Sequence, residues 1–372
     1  VTGPIVITGG GTGGHVFPMQ AIAEQLLTRG VAPEQLRFVG SRRGQEAALL
    51  DDSGVSLTLL PGRGLQRSWS LEATVANVGA SAGLLAALVI ALARVGRWRP
   101  SAVVSVGGYA SFAVSFAAVF WRRPLVLVEL DATSGAAHRL LGRFATRRCT
   151  AFPSNQPRSV VTGAPLRDVI VELDRSPTAR VAMRADQRPP IEASRHVVVV
   201  MTGSLGARSV NRAVTELARL WSDRRDVTLV HVTGRRDFDR VFSSRPTTTG
   251  LDYRVEAFGD MATLWALCDV ALCRAGATTL AELCALGIPA ILVPLPGAPG
   301  DHQTLNARTV VAAGGARLVR DDECHAPTLA AQLDEMFQGD TLASMSTAAA
   351  SLGRRDAAAA IAREVCDVAG LS

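Results

Sequence analysis

The chain has 372 residues, 48% of them hydrophobic and 5% aromatic, with a formal charge of +6; that length favours two α/β domains over a single core. All 39 basic residues are arginine, which excludes a Schiff-base lysine and a P-loop lysine, so an anion here must be met by guanidinium, hydroxyl or helix N-termini. The positive charge suits an anionic membrane or a phosphorylated small molecule, whereas the lack of zinc-finger spacing, an RRM signature or a dense basic tract argues against nucleic acid.

The first strand, Pro4-Ile5-Val6-Ile7-Thr8, stops at Gly9-Gly10-Gly11-Thr12-Gly13-Gly14-His15, and a helical pattern follows from Val16 to Thr28. Glycines at such a turn let a phosphate approach the backbone, and the N–H groups and dipole of the following helix favour negative charge. Further strands are expected over Gln35–Val39, Ser56–Leu60, Ala102–Val106 and Pro124–Val128, with a helix over Gly44–Leu50. This alternation predicts a doubly wound parallel sheet with its chemistry at the strand ends.

The pattern breaks around Gly163-Ala164-Pro165-Leu166-Arg167, and a polar stretch runs on to about Arg195. A second alternating unit begins with His196–Thr202, the turn Gly203-Ser204-Leu205-Gly206-Ala207-Arg208 and a helix over Ser209–Trp221. Its other strands are expected over Val227–Val232, Tyr253–Ala257, Val270–Cys273 and Ala290–Pro294, with a third turn at Arg274-Ala275-Gly276-Ala277-Thr278. The Ala-rich stretch Leu342–Val368 reads as helix. The expected division is therefore an N-terminal domain over 1–163, a C-terminal domain over 164–341 and a helical tail over 342–372. Three strand-glycine-helix turns in two halves suggest a bisphosphate ligand held between the domains.

No charged residue occurs from Ala73 to Ala93, a length sufficient to span a bilayer. Thr74, Asn77, Gly79, Ser81 and Gly83 dilute its first half, which favours a helix flanking the sheet or lying in a membrane interface over a spanning one. Arg63, Arg67 and Trp69 precede the stretch, Arg94, Arg97, Trp98 and Arg99 follow it, and Trp121-Arg122-Arg123 ends another apolar run. Indole beside guanidinium suits the headgroup zone of an anionic bilayer, and equally suits solvated helix ends with buried indoles. The six cysteines contain no C-x-x-C pair and sit mostly in apolar runs, which predicts buried free thiols. The N-terminus enters a strand directly, so no secretory signal is expected.

A glycine-rich turn alone is shared with dinucleotide-binding dehydrogenases, but the acid they place at the end of the second strand is replaced by Val39-Gly40-Ser41-Arg42-Arg43. The combination is more specific. Gly9 to Pro18 resembles the N-terminal signature of the MurG family, the N-acetylglucosaminyltransferases that convert lipid I to lipid II. Further blocks resemble that family in the same order: Gly107-Gly108-Tyr109-Ala110-Ser111, Gly203 to Arg208 with Asn211, Arg274 to Glu282, Pro289 to Pro294, and Asp301-His302-Gln303 with Asn306.

The resemblance implies a GT-B fold, two Rossmann-like doubly wound parallel-sheet domains facing a cleft, and inverting transfer from UDP-GlcNAc to an undecaprenyl-diphosphate-linked muramoyl acceptor. It implies a peripheral enzyme at the cytoplasmic face of an anionic membrane. No cofactor or metal is expected. Donor contacts are expected from Thr12, Gly13 and Gly14, from Arg167, Ser204, Gly206 and Ala207 at the pyrophosphate, and from Phe258 and Met261 near the uracil. Arg274, Gly276, Ala277, Thr278, Leu280, His302 and Gln303 complete the set, with Glu282 accepting the ribose hydroxyls. Arg274 either adds charge as UDP leaves or caps structure. Gly107, Gly108 and Tyr109 fall on the acceptor side, and His15, Glu129 and Asp131 are the catalytic candidates. His15 serves either as general base or as a hydrogen-bond donor.

Where the family carries His-Glu-Gln-Asn, this chain has Val128-Glu129-Leu130-Asp131. Exchanging the amide for an acid places a negative charge beside a diphosphate. Ala132-Thr133-Ser134-Gly135, Gly163-Ala164-Pro165 and Leu205 also depart from the pattern. These changes leave two alternatives open, a related UDP-sugar transferase with another acceptor and a non-catalytic UDP-sugar or lipid-binding paralogue.

Overall fold

The computed structural model describes residues 3–10, 13–42, 44, 46–50, 53–62, 71–203 and 206–371, with backbone alone for 48 and 71–80. The chain divides into two compact units, Val1–Asp168 with Arg355–Ser372, and Val169–Arg354.

The first unit runs β1 (Ile5–Thr8), α1 (Gly13–Thr28), β2 (Leu36–Ser41), α2 (Glu46–Leu50), β3 (Ser56–Leu60), α3 (Leu71–Trp98), β4 (Ala102–Ser105), α4 (Tyr109–Phe120), β5 (Leu125–Glu129), α5 (Ala136–Leu141), β6 (Arg147–Thr150) and β7 (Ser159–Val161). Its strands lie in the order β3-β2-β1-β4-β5-β6-β7, and every pairing is parallel. Both faces of such a sheet are covered, so Ile5, Val6, Ile7 and Leu125 to Val128 are buried whichever way they point. The order reverses between β1 and β4. A crevice opens at the carboxyl ends of strands at such a point, and the first glycine turn and Gly107-Gly108 both stand there.

The second unit follows α6 (Asp168–Val171) with α7 (Pro177–Ala185), β8 (His196–Met201), α8 (Arg208–Leu220), β9 (Val227–Val232), α9 (Phe238–Ser244), β10 (Asp252–Glu256), α10 (Met261–Leu267), β11 (Val270–Cys273), α11 (Ala277–Leu286), β12 (Ala290–Leu292), α12 (His302–Ala312), β13 (Ala316–Leu318), α13 (Ala326–Met336) and α14 (Thr341–Ser351). The parallel order β10-β9-β8-β11-β12-β13 again reverses between its two central strands, β8 and β11. Alternation along β8 sends Val198 and Val200 into one core and Val197 and Val199 into the other. Three arginines, the half-buried Arg175 and Arg180 and the buried Arg184, bond to Asp269 or to carbonyls of residues 265–268 and pin the polar linker to this unit.

Three differences from the sequence reading have plain causes. The tail over 342–372 is not one element: α14 packs on α11, while α15 (Ala357–Ala369) buries Ile361, Ala362 and Val365 in the first unit against α1 and β4 to β6. Its Glu364 pairs with Arg147 of β6 at 2.8 Å. The domain boundary accordingly falls after Asp168, not at 163, and the first unit reclaims the last eighteen residues. Finally, β6, β7 and β13 are three- or four-residue strands, two of them carrying arginine, too short and polar to show a pattern.

The apolar stretch forms one helix, α3, whose Ser81–Trp98 part is long and apolar enough to cross a membrane, by length and composition. It packs against α4 through Ala87, Ala91 and Val95 and leaves Leu85 and Val89 exposed, 68% and 63%. It is therefore neither a fully buried flanking helix nor apolar toward solvent by accident of one residue. The six cysteines are buried free thiols, and burial pushes Cys149 and Cys268 up to about 12.

Candidate functional site

In the first unit the two loops at the strand reversal abut. Gly107 and Gly108 hold positive φ, 107° and 90°, and a Cβ on Gly108 would collide with the Gly10 carbonyl. A Cβ on Gly107 would lie 3.3 Å from the His15 ring, so the structure brings His15, Gly107 and Gly108 together. His15 sits half-buried in the first turn of α1, which starts at Gly13. Tyr109 opens α4 with its phenol turned toward Gly62, and burial raises its pKa. Arg167, expected at the donor, lies in this unit with its guanidinium 4.2 Å above the Phe17 ring.

Behind these loops stands a buried polar frame. Glu129, at the end of β5, accepts from Arg148 Nη1 at 2.9 Å and from Ser134 Oγ at 2.8 Å. Both members of the ion pair are nearly inaccessible, 7% and 5% for the side chains. The Glu129 carboxylate is thus engaged on both oxygens, and it anchors the loop carrying Asp131, which is half-buried. Ser105 Oγ lies 2.9 Å from His138 Nε2. Burial, the His15 charge and the Arg148 charge lower the His138 pKa to about 4, so this imidazole is neutral near pH 7.

Sequence reasoning missed Arg148, His138, Ser105 and Ser134, and also Glu46, a buried carboxylate that accepts from Ser41 N at 2.9 Å amid Gly10, Gly40 and Gly44. Gly142 offered one signal, since a Cβ there would collide with the Arg148 guanidinium.

In the second unit the turn after β8 is held from below. Gly206 and Gly234 both have positive φ, 75° and 79°, and a Cβ on Gly206 would lie 2.7 Å from Asp237 Oδ2. Asn211 Nδ2 donates to Thr233 O and to Asp237 Oδ2, each at 3.1 Å, while its Oδ1 lies 2.9 Å from His231 Nε2. Tyr253 Oη closes the chain 2.9 Å from His231 Nδ1. Burial lowers the His231 pKa to about 3. Gly206 N–H, expected at the pyrophosphate, donates to Gly203 O at 3.0 Å.

The turn after β11 leads into α11 with Gly276 as N-cap at φ −69°. A Cβ on Gly276 would meet no described atom within 4 Å, so neither backbone strain nor a described neighbour requires glycine there. Ala277 and Thr278 form the first turn. Leu280 corrects an expectation: its side chain lies in the core and its N–H bonds Gly276 O at 3.0 Å, so neither faces a ligand. Glu282, 5% exposed, accepts from Trp265 Nε1 at 2.8 Å.

Arg274 Nη1 donates to Val293 O, Pro294 O and Asp321 Oδ1, at 3.1, 3.1 and 2.6 Å, and Nη2 to Ser209 Oγ at 3.2 Å. This is the capping alternative. Gln303 Oε1 accepts from Leu295 N at 2.9 Å, and His302 Nδ1 lies 2.9 Å from Pro299 O, so both shape the loop before α12. Phe258 is 59% exposed with Arg235 stacked 5.2 Å from its centroid, and Met261 opens α10. Thr12 and Ser204 lie outside the described residues. Among the described residues no three His, Cys, Asp or Glu groups gather as metal ligands.

Residues 5–150 match the glycosyltransferase family 28 N-terminal domain and residues 197–361 the family 28 C-terminal domain. The chain is 40% identical, over 98% of both lengths, to the UDP-N-acetylglucosamine--N-acetylmuramyl-(pentapeptide) pyrophosphoryl-undecaprenol N-acetylglucosamine transferase of Alkalilimnicola ehrlichii. It is 36% identical, over 99% of both, to the protein of that name from Pseudomonas paraeruginosa. The fold is similar to the crystal structure of Acinetobacter baumannii MurG, with a TM-score of 0.75 at 24% identity, covering 98% of this chain and 99% of that one. It is also similar to a Neisseria meningitidis UDP-GlcNAc 2-epimerase, with a TM-score of 0.66 at 13% identity over 98% and 99%.

Proposed function

The chain belongs to glycosyltransferase family 28, and from that premise we propose that it moves N-acetylglucosamine from UDP-GlcNAc to the muramoyl sugar of an undecaprenyl-diphosphate acceptor. The observation that carries this reading is identity of 36–40% along nearly the whole chain to relatives bearing that activity in their names. Two GT-B-type sheets, each reversed beside glycine turns, support it.

In this reading the second unit holds the donor. Diphosphate lies against the N-termini of α8 and α11, where N–H groups and dipoles stabilise the charge that grows as UDP leaves. The open space beside Gly276 supports such a close approach. Glu282, with one oxygen fixed by Trp265, takes the ribose hydroxyls, and Phe258 offers an exposed ring to the base. Arg274 and Asp321 position the loop beside it without touching the nucleotide.

The first unit supplies the acceptor chemistry. The acceptor hydroxyl attacks C1, the bond from C1 to the diphosphate oxygen breaks, and the hydroxyl proton passes to His15, whose imidazole suits proton transfer near neutrality. Glu129 is a weaker candidate, since both of its oxygens are already engaged, by Arg148 and Ser134. It acts by positioning the Asp131 loop. Exposed Leu85 and Val89 on α3, with Phe116, Phe120 and Trp121 at the end of α4 and Arg94 and Arg122 nearby, dock this unit on an anionic membrane where the lipid acceptor resides.

Incubating the protein with labelled UDP-GlcNAc and a short-chain muramoyl lipid diphosphate tests the reading. The expected result is a disaccharide lipid with inverted anomeric configuration. Binding of UDP with no transfer to that acceptor would overturn it.

A further inference from the structure

We propose that the groove between α8 and α9 in the second unit is a docking site for an acidic segment of a partner protein. The groove encloses about 490 Å3, and its walls carry Arg208, Arg212 and Arg219 from α8 and Arg240 from α9 against one acid, Glu216. Arg212, Arg219 and Arg240 have no part in the transfer reaction as proposed above, while Arg208 also opens α8, whose N-terminus faces the diphosphate there.

The positive charge is held in place. At one end Asp237, 3% exposed, lies 3.9 Å from Arg208 Nε, 3.7 Å from Arg240 Nη2 and 3.3 Å from Arg236 Nε. A single buried carboxylate among three guanidiniums leaves an excess of positive charge, and Asn211 fixes that carboxylate from below. At the other end Arg219 Nη2 is steadied on Ser244 O at 2.8 Å, which joins the two helices across the groove. Arg212 stands exposed between the two ends.

The spacing selects the occupant. Arg208 and Arg219 are eleven positions apart on α8, about 16 Å at the helical rise. A lone phosphate draws guanidiniums to one point, whereas cations strung over that distance match an extended peptide of about five residues with carboxylates at intervals. Glu216 lies between Arg212 and Arg219 in sequence and faces the same groove. It repels a uniform polyanion such as nucleic acid or an anionic lipid surface, but it can accept a peptide N–H. Val241 adds an apolar wall.

The test uses the full chain and a fluorescein-labelled twelve-residue peptide with glutamate at alternate positions among serine and alanine, read by fluorescence anisotropy. Saturable binding is expected, weakening as salt rises. Arg212→Glu should lower the affinity at least tenfold, while Arg363→Glu, an equal charge change in the other unit, should leave it unaltered. Because an acidic probe penalises any loss of positive charge, Arg212→Glu/Arg240→Glu is also given the same peptide with arginine in place of glutamate, which it should bind at least tenfold tighter than the parent does. Absence of saturable binding, equal affinity in parent and Arg212→Glu, or no gain in the charge-swapped pair would overturn the proposal. Tighter binding of a twelve-nucleotide single strand or of phosphatidylglycerol vesicles at the same groove would overturn the assignment to a protein segment.

Discussion

The second unit steadies its loops with side chains within them, Arg274 reaching Asp321 and Ser209 and Gln303 holding Leu295, and what it buries beneath its first turn is an uncharged chain, Asn211–His231–Tyr253. The first unit instead buries an ion pair beneath its loops, Glu129–Arg148, beside the neutral His138 against Ser105. The difference bears on energetics. A half-exposed hydrogen bond contributes about 1 kcal/mol and can be replaced by water, whereas breaking one half of a buried ion pair leaves a charge that water cannot reach. In the proposed reaction it also separates roles, with the second unit's frame shaping the nucleotide site and the first unit's frame standing behind the half-buried His15.

The largest effect expected is on turnover. His15→Ala should lower kcat by about 10²–10⁴, with unfolding unchanged, as steady-state kinetics and thermal denaturation would reveal; a loss confined to KM would reassign His15 to binding. Next is stability. Arg148→Met should cost about 3–5 kcal/mol in urea unfolding by stranding Glu129, and Arg274→Met distinctly less, since its ion-pair partner Asp321 keeps 23% of its side chain exposed; equal losses would erase the contrast between the frames.

The third effect depends on pH. The folded pKa of His138 is about 4, below its ordinary 6.5, because burial disfavours the imidazolium. The unfolded chain therefore binds the extra proton between these values, so the contribution is complete above pH 6.5 and is lost as pH falls toward 4. It amounts to roughly 3 kcal/mol. Stability measured against pH should flatten over that window in His138→Gln; an unchanged slope would show that the proton goes elsewhere. The smallest effect concerns the membrane. Leu85→Ser/Val89→Ser should weaken binding to anionic vesicles about tenfold or more, measured by sedimentation, while unaltered binding would move the docking face off α3.

The alternation of buried strands and helices was legible because both sheets are covered on two sides, which writes long apolar runs such as His196–Met201 that end at glycine. The glycine turns were legible for the same reason, since Gly107, Gly108 and Gly206 take positive φ where no side chain fits. Roles within the site were less so. Arg274 and Gly206 N–H read as ligand contacts, yet their hydrogen-bonding groups are engaged by partners 3 to 65 positions away that no local pattern reveals. Beyond Gly142, nothing signalled Arg148 or His138, because an arginine in a four-residue strand and a histidine in a short helix look like surface. The return of α15 to the first unit depends on what its apolar face meets, which periodicity cannot tell.

The claim that the second unit reads the donor while the first performs the proton chemistry is tested most directly by equilibrium UDP binding to two variants, measured by calorimetry beside turnover. Glu282→Ala should lose roughly 100-fold in UDP affinity, the equivalent of two charge-assisted hydrogen bonds. His15→Ala should bind UDP as the parent does while its turnover falls. Unchanged UDP affinity in Glu282→Ala, or an equal loss of affinity in both variants, would contradict that division.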